Sequence, residues 1–212
     1  MKNITKKLVI AFLIIVIIKV ILSLFVLSPS IFSYEYFYSK MAKGFAENLN
    51  FEISGKDINS YPPLYPIIQS IAYKLTDNSY LIYKIMQVIN AIISSLIIIP
   101  AFLLSKEFFT EKKVFLISLL ISVIPSAFAF SPYILSENLF YPLFLFSIYF
   151  MYKAFSENKS LYYILTGIFI ALTFMTRLEG LVLIPIFIFT CIYHYTKINK
   201  SIKNTKDSAG MP

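Results

Sequence analysis

The stretch Leu8–Leu27, LVIAFLIIVIIKVILSLFVL, decides the fold. Its length matches the roughly 20 residues that a helix needs to cross the hydrocarbon of a bilayer. A secretory leader has an apolar core of about 7–15 residues and then a small-residue cleavage site. This run is longer and ends in Ser28-Pro29, so it reads as an uncleaved span. Lys2, Lys6 and Lys7 precede it, and Lys19 lies inside it. A lysine at that depth reads equally as a functional group and as one that faces another helix or snorkels to the interface.

Working outward, further apolar runs cover Leu81–Leu104, Val114–Phe130, Leu139–Phe155, Leu161–Met175 and Gly180–Tyr195, which makes six. Pro100, Pro125 and Pro142 fall within them, and proline kinks or ends a helix while its neighbours cover the freed carbonyls. The chain is 58% hydrophobic and 14% charged, with a mean hydropathy of +0.74. A soluble domain carries about 25% charged residues. We therefore expect an all-α polytopic membrane protein of about six transmembrane helices. Residues 1–196 would form a single transmembrane domain, and 197–212 a basic, disordered tail. The net charge of +8 is no nucleic-acid footprint, because the lysines lie in short loops between apolar runs. The one cysteine, Cys191, excludes a disulfide within the chain.

Charge distribution sets the expected topology. Lys2, Lys6 and Lys7, then Lys106, Lys112 and Lys113, then Lys153 and Lys159, then Lys197, Lys200, Lys203 and Lys206 share one side if the spans alternate. The short loops on the other side hold only Arg177, and the lysines of the long 28–80 loop are offset by acids. By the positive-inside rule both termini are cytoplasmic, the 28–80 loop is extracytoplasmic, and the protein is multi-pass in the cell membrane.

That loop reads as two surface helices joined by a stiff bend. Ser33 suits an N-cap, with Glu35 in the first turn. Phe37, Tyr38, Met41, Ala42, Phe45 and Leu49 follow at helical spacing. Asn50–Ser60, with Gly55, reads as a turn. The corner Tyr61-Pro62-Pro63-Leu64-Tyr65-Pro66 places three prolines in six residues, which fixes φ and removes donors. Pro66 suits the first turn of a second helix, with Ile67, Ile68, Ile71, Ala72 and Leu75 on one face.

In this order the motifs resemble the N-terminal half of a GT-C glycosyltransferase, in the group of protein O-mannosyltransferases and aminoarabinose transferases. That group opens its first outer loop with an Asp-Glu pair and a tyrosine three residues after the Glu, matched here by Glu35 and Tyr38, with Ala42 at a small-residue position. Pro62-Pro63-Leu64-Tyr65-Pro66, Asn90, Glu137 with Tyr141-Pro142, and Thr176-Arg177 with Glu179-Gly180 follow as in the family. The leading Asp, the family's expected base, falls on Tyr34. Members usually carry more spans, so the resemblance also implies a truncated enzyme or a half-length partner subunit.

The resemblance implies transfer of a sugar from a polyprenyl-phosphate lipid to an extracytoplasmic glycan, lipid or protein acceptor, as in protein glycosylation and cell-envelope assembly. An attacking hydroxyl needs a base, and the leaving lipid phosphate needs a cation or a divalent metal ion. Glu35 and Glu137 are the expected catalytic acids. Glu35 also reads as a helix-start acid. Glu137, the one charge in Phe128–Phe150, also reads as a structural hydrogen-bonding group. Arg177, the chain's one arginine, offers a fork suited to phosphate, or simply an ion pair with Glu179. Tyr38, Tyr61, Pro62, Pro63, Tyr65 and Tyr141 complete the expected substrate-binding set, although most of the sixteen tyrosines must serve the interfacial belt. An inactive remnant or accessory subunit is the alternative. A small transporter is a third reading, carried by Lys19, Gln87 and Asn90 against the absence of a repeat.

Overall fold

The computed structural model describes residues 2–29, 33–53, 56–57, 61–124 and 128–208, with side chains left undescribed at 2–3, 33, 52–53, 56–57 and 198–208. The Ser33 side chain, Gly55, Pro125 and residues 209–212 therefore lie outside the description. The regular elements of the described chain are helices and a two-residue antiparallel ladder, β1 (Glu52–Ile53) with β2 (Lys56–Asp57), within the stretch read as a turn.

Helix α1 (Lys2–Leu24) carries the opening apolar run. Its C-terminal carbonyls are capped from a distance: Lys84 Nζ donates to Ser23 O at 2.8 Å and to Val26 O at 2.9 Å. A cation there also suits the negative end of the helix dipole. After α2 (Ser33–Asn48) and the ladder come two short helices, α3 (Leu64–Gln69) and α4 (Ile71–Leu75). Asn78 then caps α5 (Ser79–Ser95), its Oδ1 accepting from Tyr80 N and Leu81 N. Pro100 explains why α5 does not run straight into α6 (Ile98–Ser105). It has no N–H for the Leu96 carbonyl; Ile99 N serves that carbonyl instead, one residue early, at 3.0 Å.

After helix α7 (Glu111–Ser122) the irregular residues 130–136 precede α8 (Glu137–Glu157), which absorbs Pro142 without a break. Asn158, in the left-handed region at φ 50°, ends α8 and turns the chain into α9 (Ser160–Phe174). A 3₁₀ turn, Leu178–Val182, then opens α10 (Leu183–Ser208). Among the described residues, four segments are long and apolar enough to cross a membrane: Ile4–Leu24, Ser79–Ser105, Glu137–Glu157 and Leu178–Lys197. The expected third and fifth spans appear as α7, of 12 residues, and α9, of 15. At 1.5 Å per residue these cover only about 18 and 22 Å, against about 30 Å of hydrocarbon. The stretch from residue 197, expected as a disordered tail, continues α10 as far as Ser208. No glycine or proline interrupts it there.

Contacts place the helix ends. At one end, Leu64 N meets Met175 O at 2.9 Å and Tyr38 meets Ser136 at 3.0 Å. At the other, Lys153 pairs with Glu107 and Phe155 packs on His194. The helices thus run alternately, and residues 33–53, 61–80, 130–136 and 175–182 gather at one mouth. Beneath that mouth lies a core of Tyr38, Ala42, Tyr65, Ala72, Ile82, Tyr83, Met86, Ile134 and Leu139.

Two apolar faces differ from the sequence pattern. On α2, Glu35, Tyr38, Met41 and Ala42 are buried against protein, whereas Leu49 is exposed at φ 55° beyond the helix end. On α3–α4 the buried row is Tyr65, Gln69 and Ala72, and Ile71 and Leu75 face outward. Polar Gln69 occupies the core row because Asn90 awaits it: Gln69 Nε2 and Tyr65 Oη both donate to Asn90 Oδ1, at 2.6 and 2.9 Å. Hydrophobic periodicity cannot register a row held by hydrogen bonds.

Candidate functional site

The mouth is organised by polar side chains that grip the irregular segment before α8. Asn138 Nδ2 donates to the carbonyls of Phe130, Tyr133 and Leu135. Gln87 Nε2 donates to Pro132 O at 2.9 Å, and Asn90 Nδ2 to Tyr133 O at 2.8 Å. Ile134 N donates to Glu35 Oε1 at 2.7 Å. The segment's own backbone bonds are short-range turns, such as Tyr133 N to Phe130 O at 3.1 Å, and these side chains from α2, α5 and α8 add further partners to its backbone groups. The result presents Ser136 and Glu137 at the start of α8.

Opposite them, Arg177 leaves the end of α9 in extended backbone, φ −153° and ψ 142°. Its Nη1 lies 2.5 Å from Glu137 Oε1, and its Nη2 lies 2.7 Å from Glu179 Oε1. Nε also donates to Glu179 Oε2 at 3.3 Å. Nη1 and Tyr38 Oη both donate to Ser136 Oγ, at 3.3 and 3.0 Å. Burial works against the charge on Arg177, but its bond to Glu179 and the charges of Glu137 and Glu179 outweigh this and raise its pKa. Burial likewise raises the Tyr38 phenol, with the Ser136 bond and the Arg177 charge pulling back. The remaining carboxylate oxygen, Glu137 Oε2, is buried and has no hydrogen-bond partner among the described residues.

A cleft of about 210 Å³ opens beside Arg177, lined by Tyr34, Tyr38, Tyr61, Pro62, Leu178 and Glu179 as well. Two constraints hold its walls together. The bond from Leu64 N to Met175 O ties the proline corner to the Arg177 turn. Gly180 lets that turn lie on α9, since a Cβ there would fall 2.7 Å from Phe174 N and 2.8 Å from Thr173 C.

Four of the nine expected site residues (Arg177, Tyr38, Tyr61 and Pro62) line this cleft, and Glu137 joins them through Arg177. The rest lie elsewhere. Glu35 is 1% exposed and also takes Tyr83 Oη at 3.3 Å. It lies on the rim of a separate 650 Å³ cleft with Ser39, Lys40, Lys43, Tyr73 and Asp77. Tyr65, expected to touch substrate, is fully buried on Asn90, its ring 5.1 Å from that of Tyr38. It supports Tyr38 and has no surface to offer a ligand. Pro63 sits at the N-terminus of α3, half-buried. Tyr141, one turn along α8 from Glu137, rests on Phe140. Sequence reading did not single out Ser136, which bridges Tyr38 and Arg177, and no local pattern marks it. Among the described residues, no three His, Cys, Asp or Glu side chains gather as a metal-ligand set.

The described helices thus form an alternating bundle with a cation, two acids and a tyrosine-lined cleft at one mouth. The model of the family of dolichyl-phosphate-mannose-protein mannosyltransferases matches residues 60–208 of the 212, well over half of the chain. The chain belongs to that family and is a membrane glycosyltransferase of the GT-C type. The match takes in the proline corner, Glu137 and Arg177, while Glu35 and Tyr38 precede it. No curated protein and no solved structure matches the chain.

Proposed function

We propose that the protein transfers a sugar from a polyprenyl-phosphate-linked donor to an extracytoplasmic acceptor, with the Arg177 cleft as its site. The observation that carries this reading is the convergence of Arg177, Glu137, Tyr38, Tyr61 and Pro62 from four separate segments onto one cleft. The cleft lies where the helices end, so a donor can keep its isoprenoid chain in the bilayer while its headgroup enters. In this reading the N- and C-termini are cytoplasmic, as the lysine distribution favours.

In the proposed reaction Arg177 holds the donor phosphate, and its planar fork meets two oxygens at once. Tyr38 and Tyr61 flank the sugar. The acceptor hydroxyl attacks the anomeric carbon. A new carbon–oxygen bond forms there as the bond to the lipid phosphate breaks, and polyprenyl phosphate leaves with the bonding electrons. Glu137, whose side chain is 22% exposed beside Arg177, takes the hydroxyl proton. Arg177 balances the charge that grows on the leaving phosphate. Glu35 is a positioning residue here, because its carboxylate holds Ile134 and so sets the segment that presents Glu137.

The test is transfer of labelled sugar from a polyprenyl-phosphate donor in membranes that contain the protein. Transfer that Glu137→Gln and Arg177→Ala each abolish supports the reading. Transfer that survives both removes the site, and no transfer from any polyprenyl-phosphate donor favours the accessory-subunit alternative.

A further inference from the structure

Glu179 has no part in the chemistry above, yet it makes the most extensive contact with Arg177. The two side chains meet as a fork, Nη2 to Oε1 at 2.7 Å and Nε to Oε2 at 3.3 Å. This two-point grip is the one a guanidinium offers to two phosphate oxygens. We propose that Glu179 is a displaceable stand-in for the donor phosphate, an internal anion that holds Arg177 until a phosphate lipid replaces it. The proposal rests on the reading of the cleft as the donor-phosphate site.

The two acids on Arg177 differ in what it takes to move them. Glu137 stands on α8, 22% exposed, with Oε2 already buried. Displacing it would leave a half-buried carboxylate without its cation, a costly arrangement. The Glu179 side chain is 62% exposed and sits on a 3₁₀ turn at the lip of the cleft. An ion pair that open is weakly held, since water receives the freed carboxylate. Gly180 pins the backbone immediately after it to α9, so the side chain swings while the turn stays. Glu137 and Ser136 continue to hold Nη1 throughout, and Nη2 and Nε become free for the ligand.

The exchange conserves charge: one carboxylate moves out as one phosphate moves in. A neutral lipid such as a polyprenol, or a free sugar, brings no anion and cannot complete it. Glu179 therefore acts as a specificity determinant that weakens all binding slightly and neutral binding altogether. The opposite role is a positioning residue that prepares the Arg177 fork, and the two roles have opposite signs.

The test measures binding of a short-chain polyprenyl phosphate to the full chain in detergent at fixed ionic strength, with the matching polyprenol in parallel. Wild type is compared with Glu179→Gln, Glu179→Ala and Arg177→Ala, each checked for a wild-type melting curve. Both Glu179 variants are expected to bind the phosphate about two- to fivefold tighter, the range an exposed ion pair allows. Unchanged or weaker phosphate binding in both overturns the stand-in. Arg177→Ala separates the two levels. If it loses phosphate binding while the Glu179 variants do not gain it, only the stand-in falls. If it binds phosphate like wild type, the donor-site reading falls as well.

Discussion

The protein carries two clusters built on the same ionic pattern, one at each end of the bundle. At the mouth, Arg177 lies between Glu137 and Glu179. At the opposite end, Lys153 lies between Glu107 and Glu157, with Lys159 also on Glu157 at 2.7 Å. Each cation rests near an aromatic ring, Phe140 for Arg177 and Tyr162 for Lys153. What differs is the surroundings. Lys153 and Glu157 are four residues apart on α8, and their partner Glu107 staples the loop after α6 to that helix. Arg177 draws its partners from different elements and opens onto a cleft walled by tyrosines and proline. One of its acids keeps a buried oxygen without a donor among the described residues. An ion pair is thus ordinary scaffolding until it faces space a ligand can fill.

The largest effects should separate the two clusters outright. Glu137→Gln removes the proposed base while keeping its shape, and sugar transfer should fall about 10²- to 10⁴-fold, measured with labelled donor. Arg177→Lys keeps the charge and loses the fork, so transfer should fall by roughly tenfold or more, chiefly as weaker donor binding. Gly180→Val puts side-chain atoms where backbone already lies. It should lift the Arg177 turn off α9 and lower donor binding even though no ligand contact is changed, which a binding assay reads directly.

Smaller effects should fall on stability. Glu35→Ala leaves the buried Ile134 N–H without an acceptor, at a cost of about 1–3 kcal/mol. Glu35→Gln keeps an acceptor there and should recover most of that loss in a thermal melt. If Glu35→Gln instead melts like wild type and loses transfer, Glu35 is the base and the roles given to the two glutamates must be exchanged. The smallest effect belongs to Lys153→Met, which should lower the melting temperature less than Glu35→Ala and leave transfer unchanged. Lost transfer in that variant would erase the contrast between the clusters.

Much of this was legible in the chain itself. The opening run, the paired lysine loops and the proline corner suffice to give an alternating helical bundle with a loaded mouth. The pairing of Arg177 with Glu179 follows from their spacing. The sequence pattern was silent where the partner is remote. Ser136 meets Tyr38 across 98 residues, and Tyr65 meets Asn90 across 25. Tyr65 looked like a surface ring because a tyrosine beside prolines carries no sign of the asparagine that buries it. The motif that singled out Glu35 marks a position and not a direction, and its carboxylate turns inward to Ile134. The shortness of α7 was hidden because a run from Val114 to Phe130 is continuous in hydropathy, whereas the helix stops at Ser122.

The most direct test is photocrosslinking in membranes with a polyprenyl phosphate that carries a photoreactive group next to the phosphate, followed by peptide mapping. Label on the cleft residues Tyr34, Tyr38, Tyr61 or Leu178, lost in Arg177→Ala and retained in Lys153→Met, is the result expected. Label at the Lys153 end, or label at the mouth that Arg177→Ala leaves untouched, would contradict a phosphate site built on Arg177.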